Sequence, residues 1–262
     1  MECLHGFITY WEFRVVREAP IIEVQHLSVK YDERTIIDDV SFDIREGEIF
    51  IILGASGSGK TTIFNRMIGL QEPTAGEVII DGESITSAFG ERKINLLRKI
   101  GVMYQSGALF GSMNLLENVC LPLEEFTDLP QEAIDIIALN KLQMVGLADF
   151  IDYMPAEVSG GMQRRAAIAR AMALDPKILF LDEPSAGLDP ITSVQLDRLI
   201  ISLAHTLGIT FVIVSHELPS IFTIADRVVV LYEGKIIASG DPKTLRDKCD
   251  NVYVRNFFNR KD

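Results

Sequence analysis

An α/β fold with a parallel sheet is what this sequence predicts, and three observations carry the prediction. Ile49 to Leu53 is an unbroken run of five apolar residues, the pattern of a strand buried on both faces. Runs of the same kind recur at Ile178 to Leu181, Phe211 to Val214 and Val228 to Leu231. Helical segments separate them, Pro190 to Leu207 among these, and strands that alternate with helices build βαβ units. The 262 residues suit one large domain, or one domain with an inserted subdomain.

In chain order, residues 1–20 form a poorly patterned leader that carries Phe7, Trp11 and Phe13 and closes at Pro20; residues 21–262 form the domain proper. Ile22, Val24, Leu27 and Val29 are spaced for a strand with a bulge. Short strands near Ile36 and at Val40 to Ile44, with turns such as Glu46-Gly47, complete a small antiparallel β subdomain. After Ile49 to Leu53 come a Gly-rich turn and a helical stretch, Thr61 to Ile68. A further strand is expected at Gly101 to Tyr104. From residue 111 to 172 strand signals vanish. Helices are expected near Asn114 to Cys120, Gln131 to Val145 and Gly160 to Met172, as an inserted α-helical subdomain.

The composition excludes several function classes. With 48% hydrophobic and 24% charged residues, disorder over most of the chain is ruled out. Asp and Glu number 37 against 25 Lys and Arg, a net charge of -12 that repels phosphate backbones and disfavours broad nucleic-acid binding. Cys3, Cys120 and Cys249 are odd in number and far apart, which argues against a disulfide framework or a zinc cluster and suits a reducing compartment. The mean hydropathy of +0.21 prompts a search for a membrane span, but no apolar run approaches the roughly 20 residues a bilayer requires. The leader carries Glu12, Arg14, Arg17 and Glu18 and lacks the apolar stretch of a secretory signal. The chain is therefore expected inside the cell, with partners supplying any membrane part.

Three motifs carry chemistry. Gly54-Ala55-Ser56-Gly57-Ser58-Gly59-Lys60-Thr61 matches the Walker A phosphate loop, a pattern that arises by chance in roughly one chain of this length in a hundred. Its glycines let backbone N–H groups point inward at phosphates, and the helix that follows adds the positive end of its dipole. In that reading Lys60 reaches the β- and γ-phosphates and the Thr61 hydroxyl ligates Mg²⁺. Ile178 to Leu181 is an apolar strand ending in Asp182 and Glu183, and ligands bind at the carboxyl ends of parallel strands. Asp182 is then expected to hold Mg²⁺ and Glu183 to polarise the attacking water. Alone, two acids after a strand are an ordinary solvated turn; the phosphate loop gives them their meaning. Ser159-Gly160-Gly161-Met162-Gln163 opens a helix containing Arg164, Arg165 and Arg170, a second anion-binding helix N-terminus in the same chain.

From about Ile21 to Asp250 the sequence resembles the ATP-binding-cassette ATPases. Ser159 to Gln163 looks like the family signature, with Val158 where Leu is usual. The resemblance implies a P-loop NTPase (RecA-like) core that uses ATP and Mg²⁺. It assigns Tyr31 to stacking on adenine, and Gln105 to a loop that senses Mg²⁺ and water. Ala186-Gly187-Leu188-Asp189 looks like the D-loop at the dimer seam, with Gly187 where Ala is usual, and His216 looks like the switch histidine at the γ-phosphate. It implies that two copies sandwich two ATP molecules. One copy holds each ATP through Gly54, Ala55, Ser56, Gly57, Ser58, Gly59, Lys60, Thr61 and Thr62. The second copy reaches it through Ser159, Gly160, Gly161, Met162 and Asp189. Thr61, Gln105 and Asp182 hold Mg²⁺, while Lys60, Gln105, Glu183 and His216 serve catalysis.

The helical insert is where such ATPases meet a membrane permease. Tyr104-Gln105-Ser106-Gly107-Ala108-Leu109-Phe110 resembles the corresponding loop of the ATPases that serve MCE-type (Mla-like) phospholipid transporters. Asn114 to Pro122, the helix-opening pair Leu129-Pro130, Val158 to Arg165 and the tail Val254 to Phe258 are similar to that subfamily too. The implied role is an ATPase at the cytoplasmic face of the inner membrane, with a permease and an MCE lipid-binding protein as partners and no nucleic acid. Two alternatives share the same motifs: the ATPase of an importer of a small polar solute such as an amino acid, and a soluble ATPase outside transport. Phe257 and Phe258 read either as a short helix docked on a neighbour or as one covering the chain's own core. The sequence ends at Asp262, short of the tail with which some members grip a neighbouring subunit, which speaks against such a clasp.

Overall fold

The computed structural model describes residues 20–259, so the leader with Phe7, Trp11 and Phe13 lies outside the described residues. In chain order the elements begin with β1 (Pro20–Tyr31), β2 (Arg34–Arg45), β3 (Ile49–Gly54) and α1 (Lys60–Met67). Then follow β4 (Ala75–Ile80), β5 (Glu83–Ser84), α2 (Gly90–Leu97) and β6 (Ile100–Met103). Three helices come next, α3 (Leu115–Phe126), α4 (Gln131–Met144) and α5 (Gly160–Ala171). The chain continues through β7 (Ile178–Asp182), α6 (Pro190–Leu207), β8 (Thr210–Val214), α7 (Leu218–Ile224) and β9 (Arg227–Tyr232). It closes with β10 (Lys235–Gly240), α8 (Pro242–Lys248) and α9 (Val252–Asn259).

Two sheets result. The antiparallel one has the order β2-β1-β4-β5, and the larger one β10-β9-β3-β8-β7-β6. In the larger sheet β9, β3, β8, β7 and β6 run parallel, and only the edge strand β10 is antiparallel. All six residues of β3 are buried. Ile49, Ile51 and Leu53 join one apolar cluster, with the helices α3 to α6. Phe50 and Ile52 join the other, with α1 and the antiparallel sheet. Side chains alternate across a strand, so a strand covered on both faces must be apolar throughout.

Two local expectations are corrected. The short strands read near Ile36 and at Val40 to Ile44 are one strand, β2. Asp38 and Asp39 do not break it, because β2 is an edge strand that leaves both exposed, and Asp39 takes φ 50° as a bulge. The bulge read in β1 is present between Val24 and Leu27, with His26 at φ 50°. The helix read to end at Cys120 runs through Pro122 to Phe126. Burial of Leu123 against the core outweighs the backbone hydrogen bond that Pro122 cannot make.

Where local signals agree, the boundaries follow them. α6 starts at Asp189, whose side chain caps the amides of Ile191 and Thr192, has Pro190 at its first position, and ends at Gly208 in the left-handed region. α3 opens on a capping box: Asn114 accepts from the Glu117 amide at 2.8 Å and Glu117 accepts from the Asn114 amide at 2.7 Å.

The tail resolves its two readings. Phe258 is buried in the chain's own core, against Phe222 at 5.6 Å between ring centroids, and beside Phe257 at 5.7 Å.

Phe64 pins α1 to the sheet, edge-on to Phe180 at 5.8 Å and Tyr104 at 6.4 Å, with its side chain fully buried. Phe64→Ala is expected to cost about 3–5 kcal/mol in urea unfolding, the loss typical of a large core aromatic. A change below 1 kcal/mol would show that the ring does not pin α1.

Candidate nucleotide site

The carboxyl ends of four neighbouring parallel strands deliver the site. Register aligns Ile52 of β3 with Val214 of β8, Val214 with Asp182 of β7, and Leu181 of β7 with Met103 of β6. The phosphate loop, the acid pair, His216 and Gln105 therefore leave the sheet at one level. Adjacent strands lie about 4.8 Å apart, so β3 and β7, separated only by β8, are within about 10 Å, inside the reach of a lysine and a glutamate. The result is a cavity of about 750 Å³ lined by Gly54 to Gly57, Gly59 to Thr62, Gln105, Asp182, Glu183 and His216.

The phosphate loop is shaped by its glycines and closed by Lys60. Gly59 has φ 104°, and a Cβ there would lie 2.4 Å from the Ile37 side chain, so no other residue fits before α1. Lys60 Nζ donates to the carbonyls of Gly54 at 2.8 Å and Ala55 at 3.0 Å, arching over the loop. Ser58 does not line the cavity; its Oγ is buried beneath the loop with no hydrogen-bond partner. Burial lowers the Lys60 pKa, opposed by the negative charge of Glu183 and Asp182. Burial likewise raises the Asp182 pKa, reinforced by Glu183 and opposed by Lys60.

Glu183 is the strained member. Its backbone sits at φ 47°, a left-handed conformation that costs a non-glycine residue about 1–2 kcal/mol. Its amide donates to the Val214 carbonyl at 2.9 Å, which holds the turn at the end of β7. Its Oε1 lies 2.8 Å from His216 Nδ1, while its Oε2 is buried without a partner. One carboxylate oxygen is thus fixed by the histidine, and the other is left without a partner and able to accept a proton.

Not every residue read from the sequence comes to this cavity. Tyr31 is half exposed at the end of β1. Its hydroxyl accepts from Arg66 Nη2 at 2.8 Å and donates to Gln71 at 3.3 Å, and the Arg66 guanidinium lies 5.4 Å from its ring centroid. Ser159, Gly160, Gly161, Met162 and Asp189 do not line it either. Ser159 Oγ caps α5 by accepting from the Met162 amide at 3.3 Å. Gly161 abuts α6 so closely that a Cβ would lie 2.3 Å from Thr192 Cγ2. Asp189 is engaged in capping α6, and those hydrogen bonds, from Thr192 above all, hold its carboxyl below the usual range. Arg34, Ile36, Leu218 and Phe257 line the cavity without having been singled out for it. No local pattern marks them, since they arrive from β2, α7 and α9 only through the tertiary fold.

Loop, acid pair and histidine at one cavity define a P-loop nucleoside triphosphatase. Within that class the family model described as ABC transporter matches residues 37–186, and the chain belongs to the ABC transporter family. It is an ATP hydrolase of the ABC type. The chain is 40% identical over 240 residues to the intermembrane phospholipid transport system ATP-binding protein MlaF of Escherichia coli K12, covering 92% of this chain and 89% of that protein. A dimeric post-hydrolysis structure of the ATP-binding cassette MJ0796 bound to ADP and Pi superposes with a TM-score of 0.76 at 32% identity, covering 84% of this chain and 98% of that one. CbiO1 from Clostridium perfringens, part of the ABC transporter complex CbiONQ, superposes with a TM-score of 0.82 at 29% identity, covering 91% and 95%.

The raised Asp182 pKa has a measurable consequence. The folded chain holds the Asp182 proton more tightly than the unfolded chain, so the associated stability is present below the ordinary aspartate range and lost as pH rises through the raised value. Asp182→Asn is expected to raise the urea midpoint of the nucleotide-free chain at neutral pH. The gain should shrink as the pH falls toward the ordinary aspartate range. A midpoint that is lower at neutral pH would contradict the assignment.

Proposed function

We propose that two copies of this chain close on two ATP molecules and that hydrolysis reopens them, driving a membrane permease that moves phospholipid. The observation that carries the reading is the division of the site. Charge, base and phosphate loop share one cavity, while the second anion-binding feature, the N-terminus of α5 at Ser159 to Gly161, does not line it. A γ-phosphate bound from both sides therefore calls for the α5 end of a second copy. The first-turn amides of a helix lack backbone partners within it, and Gly160 and Gly161 would offer theirs to that phosphate, flanked by the capping pair Ser159 and Met162 and by Asp189.

The residues fit Mg²⁺. Thr61 supplies a hydroxyl, Asp182 a carboxylate and Gln105 a carboxamide oxygen, all hard donors at one cavity. Among the described residues no group of three or more His, Cys, Asp or Glu side chains is arranged to hold a metal ion, which accords with a cation that completes its shell with phosphate oxygens and water. When bound it supplies charge neutralisation at the β- and γ-phosphates. Around it, Lys60 balances phosphate charge. Glu183 Oε2 takes the proton of the attacking water, and His216 orients Glu183 through Oε1 and reaches toward the γ-phosphate. The exposed face of Tyr31 would stack on adenine.

Residues 111–172 are assigned to the permease. An apolar cavity of about 240 Å³ opens beside them, walled by Leu97, Val102, Pro122, Phe126 and Leu174 and edged by Arg98 and Arg170. No helix among the described residues is long and apolar enough to cross a membrane. The identity to a transport-system ATP-binding protein supports a seat on a permease at the cytoplasmic face of the inner membrane. Phospholipid cargo and an MCE protein are supported by the 40% identity to a phospholipid transport ATPase over most of the chain and by the loop from Tyr104 to Phe110.

Purification of the tagged chain from detergent-solubilised membranes, with mass spectrometry of proteins and lipids, is expected to recover a polytopic permease, a single-span MCE protein and phospholipid. Recovery of a solute-binding protein instead would move the cargo to a small polar solute. Glu183→Gln is expected to bind MgATP, slow hydrolysis by about a hundredfold or more and accumulate a dimer on size-exclusion chromatography. Turnover near the parent rate would remove Glu183 from catalysis. Lys60→Ala is expected to abolish turnover, and retained ATPase activity would refute the phosphate-loop assignment.

A further inference from the structure

The loop after Gln105 is held from below by one side chain, 62 positions away in sequence. Gly107 at φ 74° and Ala108 at φ 48° turn the backbone so that successive carbonyls face α5. Arg170, in the last turn of α5, donates from Nη1 to the Ala108 carbonyl at 2.8 Å and from Nη2 to the Gly107 carbonyl at 2.9 Å. Its guanidinium carbon lies 5.8 Å from the Phe110 ring centroid, and Nη1 also lies 3.5 Å from Asn118 Oδ1. Asn118, fully buried, then ties the far end of the loop by accepting from the Phe110 amide at 2.8 Å and donating to the Phe110 and Met113 carbonyls at 3.1 and 3.0 Å.

A planar fork on two adjacent carbonyls fixes both position and orientation, which a lysine's single ammonium cannot do. The loop also lies directly on the helix, since a Cβ on Gly107 would stand 3.4 Å from Ala167 Cβ. The other end of the same helix carries Ser159 to Gly161, and the Arg170 side chain edges the apolar cavity assigned to the permease. The loop after Gln105 thus lies along α5, against Gln163 and Ala167 and clamped by Arg170, on the same helix whose N-terminus is the second anion site.

We infer that Arg170 is a positioning residue for ATP hydrolysis. By clamping Gly107 and Ala108 to α5 it fixes the reach of Gln105 into the cavity and makes the Gln105 loop, the α5 N-terminus and the apolar cavity move as one body. The inference rests on Gln105 acting at the Mg²⁺ site, as proposed above. It differs from a packing role in what it predicts: a change in the metal dependence of the reaction and in loop order, not only in the amount of folded protein.

The test uses the 262-residue chain and its variants Arg170→Met, Arg170→Lys and Gln105→Ala. In Arg170→Met, amide hydrogen exchange over residues 105–111 of the nucleotide-free chain is expected to speed up about tenfold, with exchange in β3 and β7 unchanged. The Mg²⁺ concentration for half-maximal ATPase rate is expected to rise about fivefold to tenfold, with ATP affinity in EDTA within twofold of the parent. Arg170→Lys keeps a cation over Phe110 and safeguards folding, and is expected to fall between the two. Unchanged exchange at 105–111 in both Arg170 variants would overturn the clamp, however Gln105 behaves. Faster exchange with an unmoved Mg²⁺ requirement would overturn the positioning role if Gln105→Ala does raise that requirement. If Gln105→Ala leaves it unmoved, the Gln105 assignment fails and the positioning role fails with it, while the exchange data still establish the clamp.

Discussion

A parallel strand buried on both faces can present charge only where it ends. β3 and β7 are apolar until they leave the sheet, at Gly54 and Asp182. Everything the site does follows from that constraint. The register between β3, β8 and β7 brings the strand ends level, and the short spacing between strands sets Lys60 against Asp182 and Glu183. Burial disfavours the charged forms of Lys60 and Asp182, and their opposite charges offset that cost, while Glu183 supports Lys60 but works against a charged Asp182. Phosphates carry the negative charge that Lys60 and the loop amides await, so the cavity is built to be completed by its substrate.

The strain in the site has the same logic. Glu183 is kept in a left-handed conformation with one carboxylate oxygen unpaired, and Ser58 keeps a buried hydroxyl without a partner. A chain selected for stability alone would lose both features. They persist because the surrounding sheet and α1 over-determine the geometry. His216 is the economical part of the arrangement: a single hydrogen bond fixes one oxygen of Glu183 and leaves the other free.

The helices between β6 and β7 connect this chemistry to other surfaces. Their apolar faces share the core cluster with β3, β7 and β8, so the insert is not a loosely tethered appendage. Within it α5 touches the Gln105 loop through Arg170, α6 through the contact of Gly161 with Thr192, and a second copy through the Ser159 end in the proposed dimer. A helix with such contacts can pass a displacement between them, which softer connections would absorb.

Sequence alone determined whatever is encoded over a few consecutive residues. The phosphate loop, the strand ending in Asp182 and Glu183, and the two ends of α6 were all legible, because glycine conformation, strand burial and helix capping are short-range physics. Family resemblance then supplied Gln105 and His216, which no local rule singles out. Tertiary structure decided the rest. That Glu183 meets His216, 33 positions on, is a consequence of strand order. That Arg66 occupies the hydroxyl and lies near the ring of Tyr31, that Phe257 reaches the cavity while Phe258 enters the core, and that Arg170 grips carbonyls 62 and 63 positions earlier, each depends on closing a long loop. Such contacts exist only when the whole sheet has formed, because the entropy of closing those loops is repaid by the buried core and by nothing in the loops themselves. For the same reason β2 continues past Asp39 and α3 past Pro122: packing on the finished core outweighed local propensities that pointed the other way.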